Sequence, residues 1–251
     1  MVNQKIFVCG SYNLITLIGS SILKTSKNVI FLSCDKPIQT TFQRRKIIYV
    51  ENQQKCEEII IQKSTNTDDF LVSSYWPWKF SEKIVNKFNQ KSLNFHPSPL
   101  PRDRGWFPHV HQIRNNEISG VTLHVIDEKL DKGKIWVQKR FKLPYPLTSG
   151  DAHNILKKEI VYLFNENWQN IYKSNIKPTP QKKNGNFYSK FALDTPERIN
   201  IKKGSSEDVL LRKISSRNFN SQSFIKIKID KNTEKYIHIQ FSDNGKLESS
   251  D

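Results

Sequence analysis

The sequence predicts an α/β protein built on a doubly wound, mostly parallel sheet with a small C-terminal α+β subdomain. Short apolar runs alternate with amphipathic helical patterns through the first half of the chain, as in successive βα units. The composition then shifts to Lys, Pro, Gln, Asn and Gly over residues 174–186, which indicates a linker. We therefore expect a Rossmann-like domain over residues 1–186 and a small subdomain, containing a β-hairpin, over residues 187–251.

The predicted elements follow one another in the order that such a sheet requires. Apolar runs predict strands at residues 6–9, 29–33, 47–50, 70–73, 92–95, 120–126 and 135–141. Helical spacing predicts helices at residues 14–23, 56–63, 81–88, 106–115 and 149–172. The last of these begins at a capping box formed by Thr148 and Asp151. In the C-terminal piece we expect a helix at residues 205–214 and hairpin strands at residues 224–229 and 236–241.

Composition and charge exclude several classes of protein. The formal net charge is +16, which favours anionic partners, although basic residues scattered over every solvated face explain it equally well. The 3 cysteines are odd in number and lack a C-x-x-C spacing, so neither a disulfide framework nor a thiolate metal site is expected. Their pattern fits a reducing cytoplasm. The apolar runs are too short for a signal-peptide core or a membrane span, so we expect a cytoplasmic protein without membrane insertion.

The first predicted βα loop reads Gly10-Ser11-Tyr12-Asn13. It lacks the G-x-G-x-x-G pattern, and a glycine-rich dinucleotide site is therefore not expected. Small and amide residues at a helix N-terminus suit an anionic ligand, which makes Ser11 and Asn13 candidates for substrate binding. A helix cap is the alternative explanation, because Ser and Asn are common at that position.

The most informative segment is residues 94–101, which reads NFHPSPLP at the end of a predicted strand. Residues two apart in a strand point to one face, so Asn94 and His96 present an amide and an imidazole together. Asp131 adds a carboxylate from a second loop. Each residue taken singly has a structural explanation, since an Asp before Lys-Gly is ordinary turn chemistry. Their joint presence at the end of a strand indicates an active site.

In these motifs the chain resembles the folate-dependent formyltransferases, and within them most closely the sugar N-formyltransferases that modify nucleotide-linked amino sugars. The family pattern N-x-H-x-S-x-L-P, R-G, G-x-T-x-H and D-x-G is present in order within the similar region, roughly residues 6–173. Its members here are Asn94, His96, Ser98, Leu100, Pro101, Arg104, Gly105, Gly120, Thr122, His124, Asp131 and Gly133. The resemblance implies the formyltransferase fold, a catalytic trio of Asn94, His96 and Asp131, and N10-formyltetrahydrofolate as the formyl donor.

The chemistry of formyl transfer needs such a trio. An amine attacks the formyl carbon, and the Asn94 amide would donate a hydrogen bond to the oxyanion that forms. His96 would accept the amine proton, because an imidazole titrates near neutral pH. Asp131 would either orient His96 or polarise a water molecule between them.

The folate pocket is assigned by the same resemblance to the loop after the strand at residues 70–73. Its members would be Tyr75, Trp76, Pro77 and Trp78, which in the family act largely through backbone groups, together with Asp127. Core packing is an equally good explanation for the aromatic rings.

The acceptor pocket is assigned to residues that flank the motif. Thr122 and His124 share one face of a predicted strand, and a supporting role is favoured for His124 over substrate contact. His109 and His111 do not predict a metal site, because residues two apart on a helix face different directions. The residues beside the catalytic loop that would shape the acceptor pocket are Arg102, Arg104, Gly105 and Trp106, with a loop-bracing role as the alternative for Arg104.

The resemblance favours a dTDP-linked amino dideoxy sugar as the acceptor, with dTDP-4-amino-4,6-dideoxyglucose for O-antigen or another surface polysaccharide as the expected case. Residues 104–110 are similar to the sugar branch, and the C-terminal piece is small. One alternative is a methionyl-tRNA formyltransferase, which the positive charge would suit. Another is a non-catalytic, basic nucleic-acid-binding protein on the same core. The sugar hypothesis implies no nucleic-acid partner, and the hairpin suggests a homodimer.

Overall fold

The computed structural model describes residues 4–182, 184–193, 197–199, 206–220, 222–228, 233–239 and 241. The first elements are β1 (Ile6–Gly10), α1 (Tyr12–Thr25), β2 (Val29–Ser33), β3 (Thr41–Phe42), β4 (Arg45–Tyr49), α2 (Gln53–Lys63), β5 (Phe70–Ser74), α3 (Glu82–Phe88) and β6 (Ser92–His96). Next come β7 (Arg104–Gly105), α4 (Pro108–Asn115), β8 (Ser119–His124), β9 (Ile135–Phe141) and α5 (Ser149–Tyr172). The C-terminal elements are β10 (Phe187–Tyr188), a short 3-10 helix (Lys190–Leu193), β11 (Glu197–Ile199), α6 (Glu207–Ser216), β12 (Asn218–Phe219), β13 (Gln222–Ser223), β14 (Ile225–Lys228) and β15 (Glu234–Tyr236).

Eight strands form one sheet in the order β3-β4-β2-β1-β5-β6-β8-β9. The central strands β4, β2, β1, β5 and β6 are parallel, whereas β3, β8 and β9 run antiparallel to their neighbours. The predicted mostly parallel α/β sheet is confirmed. Because parallel strands end at one edge, this arrangement collects the carboxyl ends of β5 and β6 side by side.

Helices cover both faces of the sheet. Successive side chains of β1 alternate between the two faces, so Val8 lies in the core with α1 and α5, whereas Phe7 packs with α2 and α3. Trp168 of α5 is fully buried against the ring of Phe70, with centroids 5.2 Å apart. The two cores make the sheet a rigid platform for the loops at its carboxyl edge.

Two features of the segment after β6 differ from the prediction. The helix expected over residues 106–115 begins at Pro108, because Phe107 takes a left-handed conformation (φ 56°) and turns the chain before it. Arg104 and Gly105 instead form the two-residue strand β7, which pairs with β10. The capping box of α5 is confirmed, since Asp151 N donates to Thr148 Oγ1 and Thr148 N donates to Asp151 Oδ2.

The stretch predicted as a linker lies against the main domain. Thr179 exchanges both backbone hydrogen bonds with Ile135, at 2.7 and 2.8 Å, and β10 follows directly after the stretch. We call residues 178–182 and 184–188 the strap. The division of the chain at residue 186 stays a prediction.

The C-terminal elements include the expected hairpin. β14 and β15 pair antiparallel, with Lys226 opposite Tyr236, so a hairpin is present as predicted. Its second strand is Glu234–Tyr236, however, and not residues 236–241. The connecting residues 229–232 lie outside the described residues. The predicted helix is α6, which packs against α4. Among the helices that the structure describes, none has the length and apolar character needed to cross a membrane.

Candidate active site

The amide, imidazole and carboxylate predicted from the sequence meet at the carboxyl end of β6. Asn94 and His96 lie on β6, and β8 places His124 directly opposite Asn94. The loop after β8 brings Asp131 beneath both histidines, with Oδ2 3.6 Å from His96 Nδ1 and Oδ1 3.5 Å from His124 Nε2. His96 and Asp131 are 4% and 6% exposed, so the group is almost closed to solvent.

The protonation of His96 follows from its hydrogen bond. Its Nε2 is 2.9 Å from the carbonyl oxygen of Asp103, and a carbonyl only accepts, so Nε2 carries the proton. The neutral ring therefore has its lone pair on Nδ1, the nitrogen that faces Asp131. Burial lowers the pKa of His96 from its ordinary value, against the opposing charge of Asp131, which keeps the ring neutral near pH 7.

Asp131 is ionised in this surrounding. Burial alone would raise the pKa of its carboxyl group. The neighbouring His96 and His124 and the backbone N–H of Gly105 have the opposite and larger effect, so the pKa lies well below the ordinary range. Gly105 N donates to Asp131 Oδ2 at 2.9 Å. The resting carboxylate is therefore held by a backbone donor from the loop that follows the motif.

Asn94 is half-buried and is contacted at both ends of its amide. Its Oδ1 accepts a hydrogen bond from Ser73 Oγ at 2.8 Å, and its Nδ2 lies 3.1 Å from His124 Nε2. His124 Nδ1 lies 2.8 Å from the carbonyl oxygen of Val125, so Nδ1 is protonated and Nε2 can accept. His124 thus fixes the orientation of the Asn94 amide.

Two residues expected to contact substrate lie beneath the catalytic loop instead. Thr122 is fully buried, and its hydroxyl donates to Ser98 O at 2.6 Å and accepts from Leu100 N at 3.2 Å. Arg104 is 8% exposed and donates from Nε to Pro101 O at 3.1 Å. Both side chains therefore brace the loop over residues 97–105, and their assignment as substrate contacts stays a prediction. Burial of this kind depends on tertiary packing that the local sequence does not contain.

The strap supplies two residues that the sequence did not single out. Asn186 Nδ2 donates to Asp103 Oδ1 at 2.9 Å, and Asp103 N donates to Asn186 Oδ1 at 2.7 Å. Gln181 Nε2 donates to the carbonyl oxygens of Asp131 and Gly133, both at 2.8 Å. The strap therefore holds both loops of the site, although its composition had indicated only a linker.

The remaining predicted acceptor residues lie in the loop and short strand that follow the motif. Trp106 is half-buried, with the Lys190 ammonium 5.3 Å from its ring centroid. Arg102 is exposed and pairs with Glu117 at 3.0 Å. Gly105 is held at φ +90°, where an added Cβ would lie 2.1 Å from Tyr188 O.

The first βα loop favours the capping explanation. Ser11 is the N-cap of α1, with its hydroxyl accepting from Leu14 N at 3.5 Å, and Asn13 is exposed in the first turn. Asp35 Oδ1 accepts from Tyr12 N at 2.6 Å, which fixes this loop. Neither Ser11 nor Asn13 makes a described contact with the catalytic trio.

In the predicted folate loop the two indole rings are packed, whereas Pro77 is exposed. The Trp76 indole N–H donates to Gln53 Oε1 at 2.8 Å, and its ring stacks on Phe80 with centroids 6.2 Å apart. Trp78 packs edge-on against Trp76, whereas Pro77 is exposed. These contacts support the core-packing explanation for the two indole rings.

Tyr75 and Asp127 complete the set assigned to folate. Tyr75 has a left-handed backbone (φ 52°), and its ring meets the edge of His153 at 5.6 Å between centroids. Burial raises the pKa of Tyr75, so its hydroxyl stays protonated. Asp127 is exposed and accepts from Lys129 N at 2.9 Å.

His109 and His111 pack separately on α4. His109 lies edge-on to His153 at 5.3 Å between ring centroids, and burial lowers its pKa to about 3. His111 stacks on Tyr188 of β10 at 3.3 Å. Within the described residues, no group of three or more His, Cys, Asp and Glu side chains is arranged to hold a metal ion.

Comparison with known proteins points to one family. The sequence pattern described as "Formyl transferase" matches residues 24–164, which is more than half of the chain. A dTDP-4-amino-4,6-dideoxyglucose formyltransferase of Mycobacterium tuberculosis is 32% identical over 85 residues, 34% of this chain and 36% of the relative. A methionyl-tRNA formyltransferase of Borreliella afzelii is 36% identical over 95 residues, 38% of this chain and 30% of the relative. The alignments thus span about a third of the length of these curated relatives.

Solved structures show the same fold. A 4-N formyltransferase from Francisella tularensis superposes with a TM-score of 0.78 at 24% identity, covering 95% of this chain and 98% of that chain. The N-formyltransferase from Helicobacter canadensis, in complex with folinic acid and dTDP-3-aminofucose, gives a TM-score of 0.69 at 24% identity, covering 85% of this chain and 80% of that chain. The likeness extends over the C-terminal elements as well as the sheet.

Proposed function

The chain belongs to the formyl transferase family, and we propose that it transfers the formyl group of N10-formyltetrahydrofolate to the amino group of a nucleotide-linked sugar. The observation that carries this proposal is the assembly of an amide, a neutral imidazole and an ionised carboxylate at the end of β6. Each group matches one demand of formyl transfer to an amine. The folate supplies the formyl group as a co-substrate.

Asn94 stabilises the oxyanion that forms when the amine attacks. Its amide has two N–H groups on Nδ2, and one of them faces His124. The second is free to donate to a ligand beside the half-buried side chain. A preorganised donor of this kind typically lowers the barrier by about 3 to 4 kcal/mol, so Asn94→Ala should lose two to three decades of kcat.

His96 takes the proton from the attacking amine at Nδ1. This nitrogen carries the lone pair because Nε2 is protonated and donates to Asp103 O. The low pKa of His96 keeps the ring ready to accept at neutral pH. The imidazolium then lies 3.6 Å from the Asp131 carboxylate, which stabilises the new charge.

The substrates would approach beside Asn94, the half-buried member of the trio. Folate contacts from residues 75–78 would come from the backbone, because the indole of Trp76 is already paired with Gln53. Asp127 remains a second candidate for a folate contact. Trp106 and Arg102 remain candidates for the acceptor side. A half-buried indole offers a face for a sugar or a base, and Arg102 offers charge for a phosphate.

We propose dTDP-4-amino-4,6-dideoxyglucose as the acceptor. The similarity to the M. tuberculosis enzyme, 32% identical over 85 residues, supports a 4-amino sugar as the acceptor. A surface polysaccharide such as O-antigen would be its destination. A homodimer formed through the C-terminal hairpin is part of the same proposal.

Methionyl-tRNA is the second candidate acceptor, because the B. afzelii relative is 36% identical over 95 residues and the chain carries a net charge of +16. It predicts RNA binding that weakens strongly with salt.

The deciding experiment incubates the protein with N10-formyltetrahydrofolate and a panel of dTDP-linked 3-amino and 4-amino sugars, with methionyl-tRNA in a parallel reaction. Mass spectrometry follows the formylated product, and His96→Ala is the control. Formylation of a 4-amino sugar that disappears in the control supports the proposal. Product from methionyl-tRNA alone would replace the sugar with RNA, and no product from any amine would reject formyl transfer to these acceptors.

A further inference from the structure

Ser73 contacts the catalytic amide of Asn94, and the proposed reaction gives Ser73 no role. It lies on β5 directly opposite Asn94 on β6, as parallel Cα partners, and it is 3% exposed. Its hydroxyl is 2.8 Å from Asn94 Oδ1, and because an amide oxygen only accepts, Ser73 must donate. One end of the amide is therefore held by the strand beside it.

The other end of the amide is fixed by His124. The carbonyl oxygen of Val125 forces the His124 proton onto Nδ1, so Nε2 presents a lone pair to Asn94 Nδ2 at 3.1 Å. A flipped amide would turn its oxygen toward that lone pair, which is repulsive. His124 thus selects the amide orientation in which Nδ2 faces Nε2, and Ser73 restrains rotation about the last side-chain bond.

We infer that Ser73 is a positioning residue that keeps the second N–H of Asn94 aimed at the reacting carbonyl oxygen. This inference rests on the proposed formyl transfer. Oxyanion stabilisation depends on a donor that is aligned before the reaction, since reorientation during the step removes part of the gain. A half-buried amide without Ser73 would exchange its Oδ1 partner for water and sample other rotations.

The chain provides a matched control in the next residue. Ser74 is fully buried on the same strand, and its hydroxyl has no hydrogen-bond partner within the described residues. Ser73→Ala and Ser74→Ala each delete one buried oxygen from β5. A loss that arises from general damage to the strand would appear in both variants, whereas a loss of Asn94 alignment would appear only in Ser73→Ala.

The kinetic test measures kcat and KM for donor and acceptor in both variants and in the Asn94→Ala background. We expect Ser73→Ala to lower kcat about tenfold, the factor that corresponds to one net hydrogen bond of ordinary strength, with both KM values within twofold. Ser74→Ala should stay within twofold of the wild type. In Asn94→Ala, removal of Ser73 should cost nothing further. An equal loss in that background, or in Ser74→Ala, would overturn the inference.

A second readout does not depend on which amine is formylated. The side-chain amide signals of Asn94 can be assigned in a 15N correlation spectrum through their absence in Asn94→Ala. We expect these signals to shift in Ser73→Ala and to stay in place in Ser74→Ala. Unmoved signals in Ser73→Ala would reject the role of Ser73, even if the enzyme is active. The Asn94 signals could also shift in Ser73→Ala while the wild-type protein formylates no tested amine. That result would support the contact between Ser73 and the amide and reject only the proposed function.

Discussion

Removal of the Asn186 side chain tests the clamp between the strap and the catalytic loop. Asn186 makes two hydrogen bonds with Asp103, at 2.7 and 2.9 Å, and Asp103 is 1% exposed. A neutral hydrogen bond contributes about 1 kcal/mol, and one to a carboxylate about 2 kcal/mol, so Asn186→Ala should destabilise the protein by about 3 kcal/mol. For a chain of this size, that loss lowers Tm by about 6 to 12 °C.

The effect should also depend on pH. Burial raises the pKa of Asp103, and the hydrogen bond from Asn186 lowers it again in part. Without Asn186 the pKa of the folded state rises further, so the ionised carboxyl is disfavoured more strongly in the variant. The penalty is therefore largest at pH values where Asp103 must ionise, and it should shrink as the pH falls through its pKa.

Thermal unfolding from pH 4 to 8 measures both effects. Asn175→Ala is the matched control. Asn175 lies in the same polar stretch, residues 174–186, but it is exposed, and its side chain bonds only to Asn170, at 3.2 Å, among the described contacts. A stability loss below about 0.5 kcal/mol in Asn186→Ala, or an equal loss in Asn175→Ala, would refute the clamp. Activity should fall with stability, since Asp103 O accepts from His96.

Three further outcomes follow from the site. The kcat profile should rise with pH through an apparent pKa below about 6.5, the usual value for His, and then stay level, because only neutral His96 accepts a proton; a midpoint above that value would contradict the neutral resting state. Asp131→Asn should lower kcat and move this midpoint further down, as the carboxylate raises the pKa of His96; an unchanged pH profile would exclude the electrostatic role. Gly105→Ala should lose activity and stability together, because its Cβ would lie 2.1 Å from Tyr188 O at φ +90°; a wild-type Tm would show that the strap can move away.

The sequence predicts those features that depend on local pattern. Apolar runs and helical spacing locate the sheet strands, and the period of two places Asn94 and His96 on one face of β6. The motif spacing also indicates Asp131, whose loop reaches the same point. Strand order adds what the sequence leaves open, since it sets Ser73 beside Asn94 across 21 residues.

The strap was missed because nothing local marks it. Asn186 contacts Asp103 across 83 residues, and Gln181 contacts Asp131 across 50. A polar, proline-containing stretch without periodicity has the composition of a linker whether it crosses solvent or binds a domain. The buried position of Thr122 is hidden from the sequence for a related reason. Its type and position suit a ligand contact, but its complete burial depends on how the loop folds over it.

The protonation state of His96 explains how Asp131 would lower the barrier of the reaction. Backbone carbonyls fix His96 with its lone pair on Nδ1 and His124 with its lone pair on Nε2. The lone pair of His96 faces Asp131 at 3.6 Å, so the neutral ring does not donate to the carboxylate in the resting state, whereas the lone pair of His124 faces the amide of Asn94 at 3.1 Å. Under the proposed reaction, His96 gains a proton on the very nitrogen that faces Asp131. The attraction between them then appears only as the amine loses its proton, and an interaction that strengthens on the way to the transition state accelerates the step rather than tightening substrate binding.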